Sequence, residues 1–379
     1  MHPDLQRLMD EATALTRGGR LQEATDVIQR ALGGAGTAAA KAGHQDGDVI
    51  DVEAREVPTP DESAAASLPG PGARTGPTNT PGAAAAPVAQ PSPAGVRSTE
   101  AFIAGRFGGA AAAGRDYKLY VPPDAATRPR GLVVMLHGCT QNADDFAAGT
   151  RMNALAREHG LYVLYPVQSQ QANAQRCWNW FKHTHQQRER GEPALVAGMV
   201  REVVAQHAID PARIFVAGLS AGGAMAAILG RTHPDLFAAV GVHSGLAAGA
   251  ARDLPSALEA MKSGSSRAPM PAGDALPTIV FHGAADRTVH PRNGEQVVQP
   301  FTHAAAQESA WNAPGRRSST RRTWKDASGN VQAEHWLVQG APHAWSGGSS
   351  AGTYTDPSGP DASAEMLRFF LAHPKRAAG

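Results

Sequence analysis

"RIFVAGLSAGGAMAAILG", residues 213–230, decides the fold. Its first half is apolar and β-branched and reads as a buried strand. A Gly218-Leu219-Ser220-Ala221-Gly222 turn follows, and an alanine-rich run leaves it as a helix. In that context a Gly-x-Ser-x-Gly turn lifts its serine above the sheet, facing the free N–H groups of the helix. Glycines two positions to either side remove side chains that would collide with the neighbouring strand and helix. The plainer alternative is a serine that only caps the helix.

The pattern continues outward from this stretch. "DYKLYVP" (116–122) alternates as a strand, and "GLVVMLHG" (131–138), "LYVLYP" (161–166), "FAAVGVHSG" (237–245) and "LPTIVFHG" (276–283) read as buried strands. "DDFAAGTRMNALAREHG" (144–160) reads as one helix ending on Gly160, and "EPALVAGMVREVVAQHAI" (192–209) as another. Further helices are expected to begin near Asn293 and Asp361. Buried strands alternating with helices predict an α/β fold, a mostly parallel sheet with helices on both faces, over 98–379.

A serine needs a base, and the base needs an acid to orient it. Asp286 stands on the loop after "LPTIVFHG", and His343 on the loop after the strand in "AEHWLVQGAPHAWSGG" (333–348). Both loops leave the C-terminal ends of strands, as Ser220 does, so the three are expected to meet at one sheet edge. Asp274 is a rival acid. His282 ends a strand and is expected to bond locally. His335 lies within a strand, and His137, His233 and His243 sit at element ends, where structural roles are expected.

Acyl transfer also requires N–H donors for the oxyanion. The amides of Cys139, after His137-Gly138, and of Ala221 are the candidates. "QRCWNWF" (175–181) sets Cys177, Trp178 and Trp180 on a loop, and Trp345 follows His343. Trp178, Trp180 and Trp345 are candidate substrate-binding residues. Covering a core edge is the competing reading. Cys139 and Cys177 are the only cysteines in the chain. They are either two buried thiols or one disulfide beside the site, and both readings stay open.

The net charge of +1 gives no electrostatic footprint for nucleic acid or a membrane surface. No apolar run approaches the roughly 18 residues of a membrane span. No phosphate loop, dinucleotide fingerprint or metal-ligand cluster is visible, so no cofactor and no metal is expected. Residues 1–33 read as a helical hairpin broken at Gly18-Gly19. Nine of the 28 prolines fall between Pro58 and Pro93, and 34–97 reads as a linker that cannot bury a core. The first 20 residues lack the pattern of a secretory signal, which points to the cytoplasm. On its tether the hairpin is a candidate anchor to a granule surface or a partner.

Together, "LHGCTQNADDFAAGTRMNALAREHGLYVLYP", "RCWNWF", "VAGLSAGGAMA", "FHGAADRTV" and "GAPHAWSGG" resemble the poly(3-hydroxybutyrate) depolymerase-type esterases of the α/β-hydrolase superfamily. The likeness covers about 98–375. It implies Ser220 as nucleophile, His343 as base, Asp286 as acid, and Cys139 and Ala221 as oxyanion donors. It implies hydrolysis of a hydroxyalkanoate polymer or its short-chain oligomers, with feruloyl or acetyl polysaccharide esters as the alternative. Many family members are secreted, so the resemblance makes an extracellular location the alternative to the cytoplasm.

Overall fold

The computed structural model describes residues 100–108, 114–267 and 275–375. The hairpin expected over 1–33 and the linker expected over 34–97 lie outside them, as does Asp274. In chain order the strands and α-helices are β1 (Ala101–Phe107), β2 (Arg115–Val121), β3 (Arg130–Leu136), α1 (Ala143–Thr150), α2 (Met152–His159), β4 (Tyr162–Pro166), α3 (Gly191–Gln206), β5 (Ile209–Leu219) and α4 (Ala221–Thr232). There follow β6 (Ala239–His243), α5 (Leu254–Ser263), β7 (Thr278–Gly283), α6 (Arg292–Val298), β8 (Gln307–Trp311), β9 (Ser319–Lys325), β10 (Val331–Val338), β11 (Trp345–Ser346), β12 (Thr355–Asp356) and α7 (Ala362–Leu371).

One sheet runs in the order β1-β2-β4-β3-β5-β6-β7-β10-β9-β8. Its centre, from β4 to β10, is parallel. The flanking strands β1, β2, β9 and β8 pair antiparallel. Side chains alternate between two cores, as the strand period of two requires. Leu132, Val134, Leu136, Ile214 and Val216 point to one face, which packs against α3, α4, α5 and α6. Val133, Met135, Phe215, Ala217 and Leu219 point to the other, under α1, α2 and α7. This is the three-layer α/β-hydrolase architecture. No described helix is long and apolar enough to cross a membrane.

One local reading needs correction, and β8, β9 and α5 were not foreseen. The single helix expected over 144–160 is two, because Arg151 takes a left-handed φ of 53° between α1 and α2. Polar β8 and β9 extend the sheet, although "QESAW" and "STRRTWK" lack a strand's apolar alternation; they are held by backbone pairing at an edge. Helix α5 was not expected either. Asp253 caps it, accepting the N–H of Ser256 at 2.9 Å, and Pro255 pre-sets its first turn.

Candidate active site

Strand β5 delivers Ser220 at the sheet edge with φ 58° and ψ −119°. A serine in that region is strained, and its surroundings must hold it there. The Ser220 N–H donates to the carbonyl of His243 at the end of β6 (2.9 Å), and its own carbonyl accepts the N–H of Ala224 in α4 (2.9 Å). Its side chain makes no capping hydrogen bond, which leaves the hydroxyl free of the helix start. The two glycines of the turn are demanded by close backbone approach. A Cβ on Gly222 would stand 2.6 Å from the His137 carbonyl oxygen, and one on Gly218 would stand 2.7 Å from that of Leu136. The turn is thereby pressed against the end of β3.

Asp286 and His343 meet as their loops leave β7 and β10. Nδ1 of His343 donates to Oδ2 of Asp286 at 2.7 Å. The other carboxylate oxygen accepts the N–H groups of Thr288 (2.9 Å) and Val289 (2.8 Å). Burial alone would raise the Asp286 carboxyl. Hydrogen bonding from His282 and His343 outweighs it and holds the group well below the usual carboxylate range. Because Oδ2 can only accept, Nδ1 of His343 carries the hydrogen and Nε2 presents a lone pair.

Two further histidines support this pair. Nε2 of His282 faces only acceptors, the Val289 carbonyl at 2.8 Å and Asp286 Oδ2 at 3.4 Å. It thus closes the 286–289 turn from behind. His243 joins the other two loops. Its carbonyl holds the Ser220 N–H, and its Nε2 accepts the N–H of Ser346 (2.9 Å), three residues beyond His343. With Nε2 accepting, Nδ1 donates to Ser244 Oγ (3.1 Å). Burial keeps this imidazole well below its ordinary pKa, so it stays neutral. Its ring stacks on Trp345 with centroids 5.0 Å apart.

The strand end carrying Cys139 lies against the serine turn. The N–H of Cys139 has no hydrogen-bond partner among the described residues. Ala221 opens α4, where a first-turn N–H has no intrahelical acceptor. Cys139 and Cys177 form a disulfide, Cα atoms 4.2 Å apart, which decides between the two readings left open above. The bond ties the β3 end to the tryptophan-bearing loop. Backbone contact adds to it, since the Thr140 N–H donates to the Gln175 carbonyl at 2.7 Å. His137 Nε2 accepts the Gln168 N–H (3.2 Å) and its Nδ1 donates to the Gly138 carbonyl (2.7 Å). Burial lowers its pKa to about 4.

Beneath that loop lies Glu192, a buried carboxylate in the first turn of α3. It accepts the backbone N–H and the side-chain amide of Asn179, both at 2.7 Å, and the amide of Gln168. Burial would raise this carboxyl; His185 at 3.4 Å and the amides of Asn179 and Gln168 hold it below its usual range. Sequence reasoning passed over Glu192. The signal available was a lone acid at the head of an apolar helical run.

Residues 115–323, more than half of the chain, match the family described as esterase PHB depolymerase. The chain belongs to this family. It is 33% identical over 225 residues to a poly(3-hydroxyalkanoate) depolymerase C of Paucimonas lemoignei, covering 56% of this chain and 54% of that protein. It is 31% identical over 195 residues to a probable acetylxylan esterase A of Neosartorya fischeri, covering 46% and 51%. The chain thus spans about half the length of these relatives. The solved structure of an acetyl xylan esterase from Aspergillus awamori matches the fold with a TM-score of 0.55 at 20% identity, covering 68% of this chain and 94% of that one.

Within this esterase-family fold the three tryptophans face inward. Trp178, Trp180 and Trp345 are all buried. Nε1 of Trp178 donates to the His137 carbonyl at 3.1 Å, and Nε1 of Trp345 to Ser363 Oγ at 3.0 Å. Phe146 packs edge-on against Trp345 and Phe181 against Trp180. Their burial favours the competing reading, in which they cover a core edge. A buried indole needs a hydrogen-bond partner, and here each paired N–H braces a loop from inside.

Proposed function

We propose that the protein is a serine carboxylic ester hydrolase in which Ser220, His343 and Asp286 act as nucleophile, base and acid. The observation that carries the reading is the His343–Asp286 hydrogen bond of 2.7 Å at the sheet edge where the strained, uncapped Ser220 stands. Nε2 of His343 takes the Ser220 hydroxyl proton as Oγ attacks the ester carbonyl. The tetrahedral oxyanion is received by the N–H groups of Cys139 and Ala221. Its collapse expels the alcohol, which takes the proton from His343 Nε2 and leaves an acyl-serine. Water, deprotonated by the same nitrogen, then attacks the acyl carbon, and the acid departs as Ser220 recovers its proton. Asp286 stays ionised throughout and stabilises the imidazolium.

The substrate proposed is poly(3-hydroxybutyrate) or its short-chain hydroxyalkanoate oligomers, supported by family membership and the depolymerase relative. The acetylxylan esterase relative favours acetyl esters of polysaccharides as the second reading. The Cys139–Cys177 bond supports work in an oxidising compartment, in favour of the extracellular alternative. Ser220→Ala is expected to abolish hydrolysis of p-nitrophenyl butyrate while leaving the circular dichroism and thermal midpoint of the protein intact. Wild-type turnover by that variant would overturn the assignment. Parallel assays on hydroxybutyrate oligomers and acetylated xylan separate the two substrate classes.

A further inference from the structure

Tyr354 is the most exposed large aromatic among the described residues, with 46% of its surface open. Its backbone is costly, since a non-glycine residue with φ 51° pays for that geometry. Neighbours on both sides enforce it. The Thr353 N–H and hydroxyl donate to the two oxygens of Asp145 (2.8 and 2.6 Å). On the other side Thr355 pairs with Trp345 between β12 and β11, and the Tyr354 carbonyl itself accepts the Trp345 N–H at 2.7 Å. Tyr354 is thus bolted to the loop that carries His343.

Its hydroxyl reaches a different loop. The oxygens of Tyr354 and Thr140 are 3.0 Å apart, and the Thr140 hydroxyl donates to the Cys139 carbonyl at 2.6 Å. With that hydrogen spent, the tyrosine is the donor in the pair. Thr140 is strained as well, at φ 65°. Two strained residues, 214 positions apart, therefore meet through one hydrogen bond beside the candidate oxyanion residue. That bond fixes the ring at the phenol end, while nearly half of the residue's surface stays open to solvent. An immobilised, water-exposed aromatic next to the proposed ester site is suited to cover apolar substrate.

We infer that Tyr354 is a substrate-binding residue whose ring packs on the hydrocarbon part of the ester, in the place that the buried tryptophans do not occupy. The inference rests on the ester-hydrolase reading above. The test is steady-state hydrolysis of p-nitrophenyl butyrate by the full chain, its Ser220→Ala control, Tyr354→Ala and Tyr354→Phe. Tyr354→Ala is expected to raise KM about 5–10-fold with kcat within about twofold, the pattern of lost uniform binding. Tyr354→Phe, which keeps the ring, is expected to hold KM within about twofold. Should Tyr354→Ala fail to fold, Tyr354→Gln gives the same readout with a polar side chain that lacks the ring. An unchanged KM in the Ala or Gln variant overturns the inference. So does a fall in kcat with KM unchanged, which would make Tyr354 a strut for the His343 loop. Absence of wild-type turnover, by contrast, overturns the ester-hydrolase reading, and this inference with it.

Discussion

Asp286→Asn tests the site through a single atom. The asparagine carbonyl oxygen can replace Oδ1 and keep the N–H bonds from Thr288 and Val289, now 2.9 and 2.8 Å, so the turn survives. Its amide then replaces Oδ2, the acceptor 2.7 Å from His343 Nδ1. Two donors cannot share that contact. His343 must move its hydrogen to Nε2, which removes the lone pair that the proposed mechanism requires there. A triad histidine held in the wrong tautomer loses about 10³–10⁴ in kcat, equivalent to roughly 4–5.5 kcal/mol of barrier. Stability should change much less, because two of the carboxylate's contacts persist. The assay is kcat for p-nitrophenyl butyrate at neutral pH, with thermal melting on the same samples. A variant that melts like wild type and keeps kcat within tenfold would refute both the tautomer argument and the role of Asp286.

Two other outcomes are expected. The disulfide closes a 38-residue separation, so replacing both cysteines by alanine should destabilise the protein by about 2–4 kcal/mol in denaturant titration while retaining measurable turnover, since the Cys139 N–H remains; no turnover in a folded double variant would contradict this. Burial lowers the imidazoles of His243, His137 (to about 4) and His335 (to about 3), so below their unfolded value near 6.5 the unfolded chain binds protons that the native state refuses. Stability should therefore rise with pH from about 4 to 6.5, and fall by about 1–2 kcal/mol for each of His137 and His335 on going from pH 6.5 to 5, with His243 acting in the same direction. Urea unfolding at pH 5, 6 and 7 checks this, and a flat or inverted trend would count against it.

The sequence made the sheet's centre legible because β3 to β7 are apolar runs, and all but β4 end in glycine-bearing turns. Cys139, Ser220 and Asp286 each stand just beyond such a run and His343 just beyond β10, so topology alone draws them to one edge. Edge strands β8 and β9 hid because backbone pairing needs no apolar pattern. The tryptophans stayed ambiguous for a related reason. A residue on a loop has no period to say which way it faces, and these three turn inward to donate to His137, to Ser363 and into aromatic packing. Tyr354 escaped notice because its surroundings are glycine, threonine and aspartate, a composition that reads only as turn. Its partner Thr140 is 214 residues away, and no local signal spans that distance.

His243 has a bearing on how such a site diverges. One residue at the end of β6 supports the Ser220 turn with its carbonyl and the loop beyond His343 with its ring. The two loops are consequently not independent modules that drift apart at separate rates. A lineage exploring new esters meets epistasis at this strand end, and its tolerated changes are channelled outward to the solvent-facing rim, where an exchange of side chains leaves the shared imidazole undisturbed.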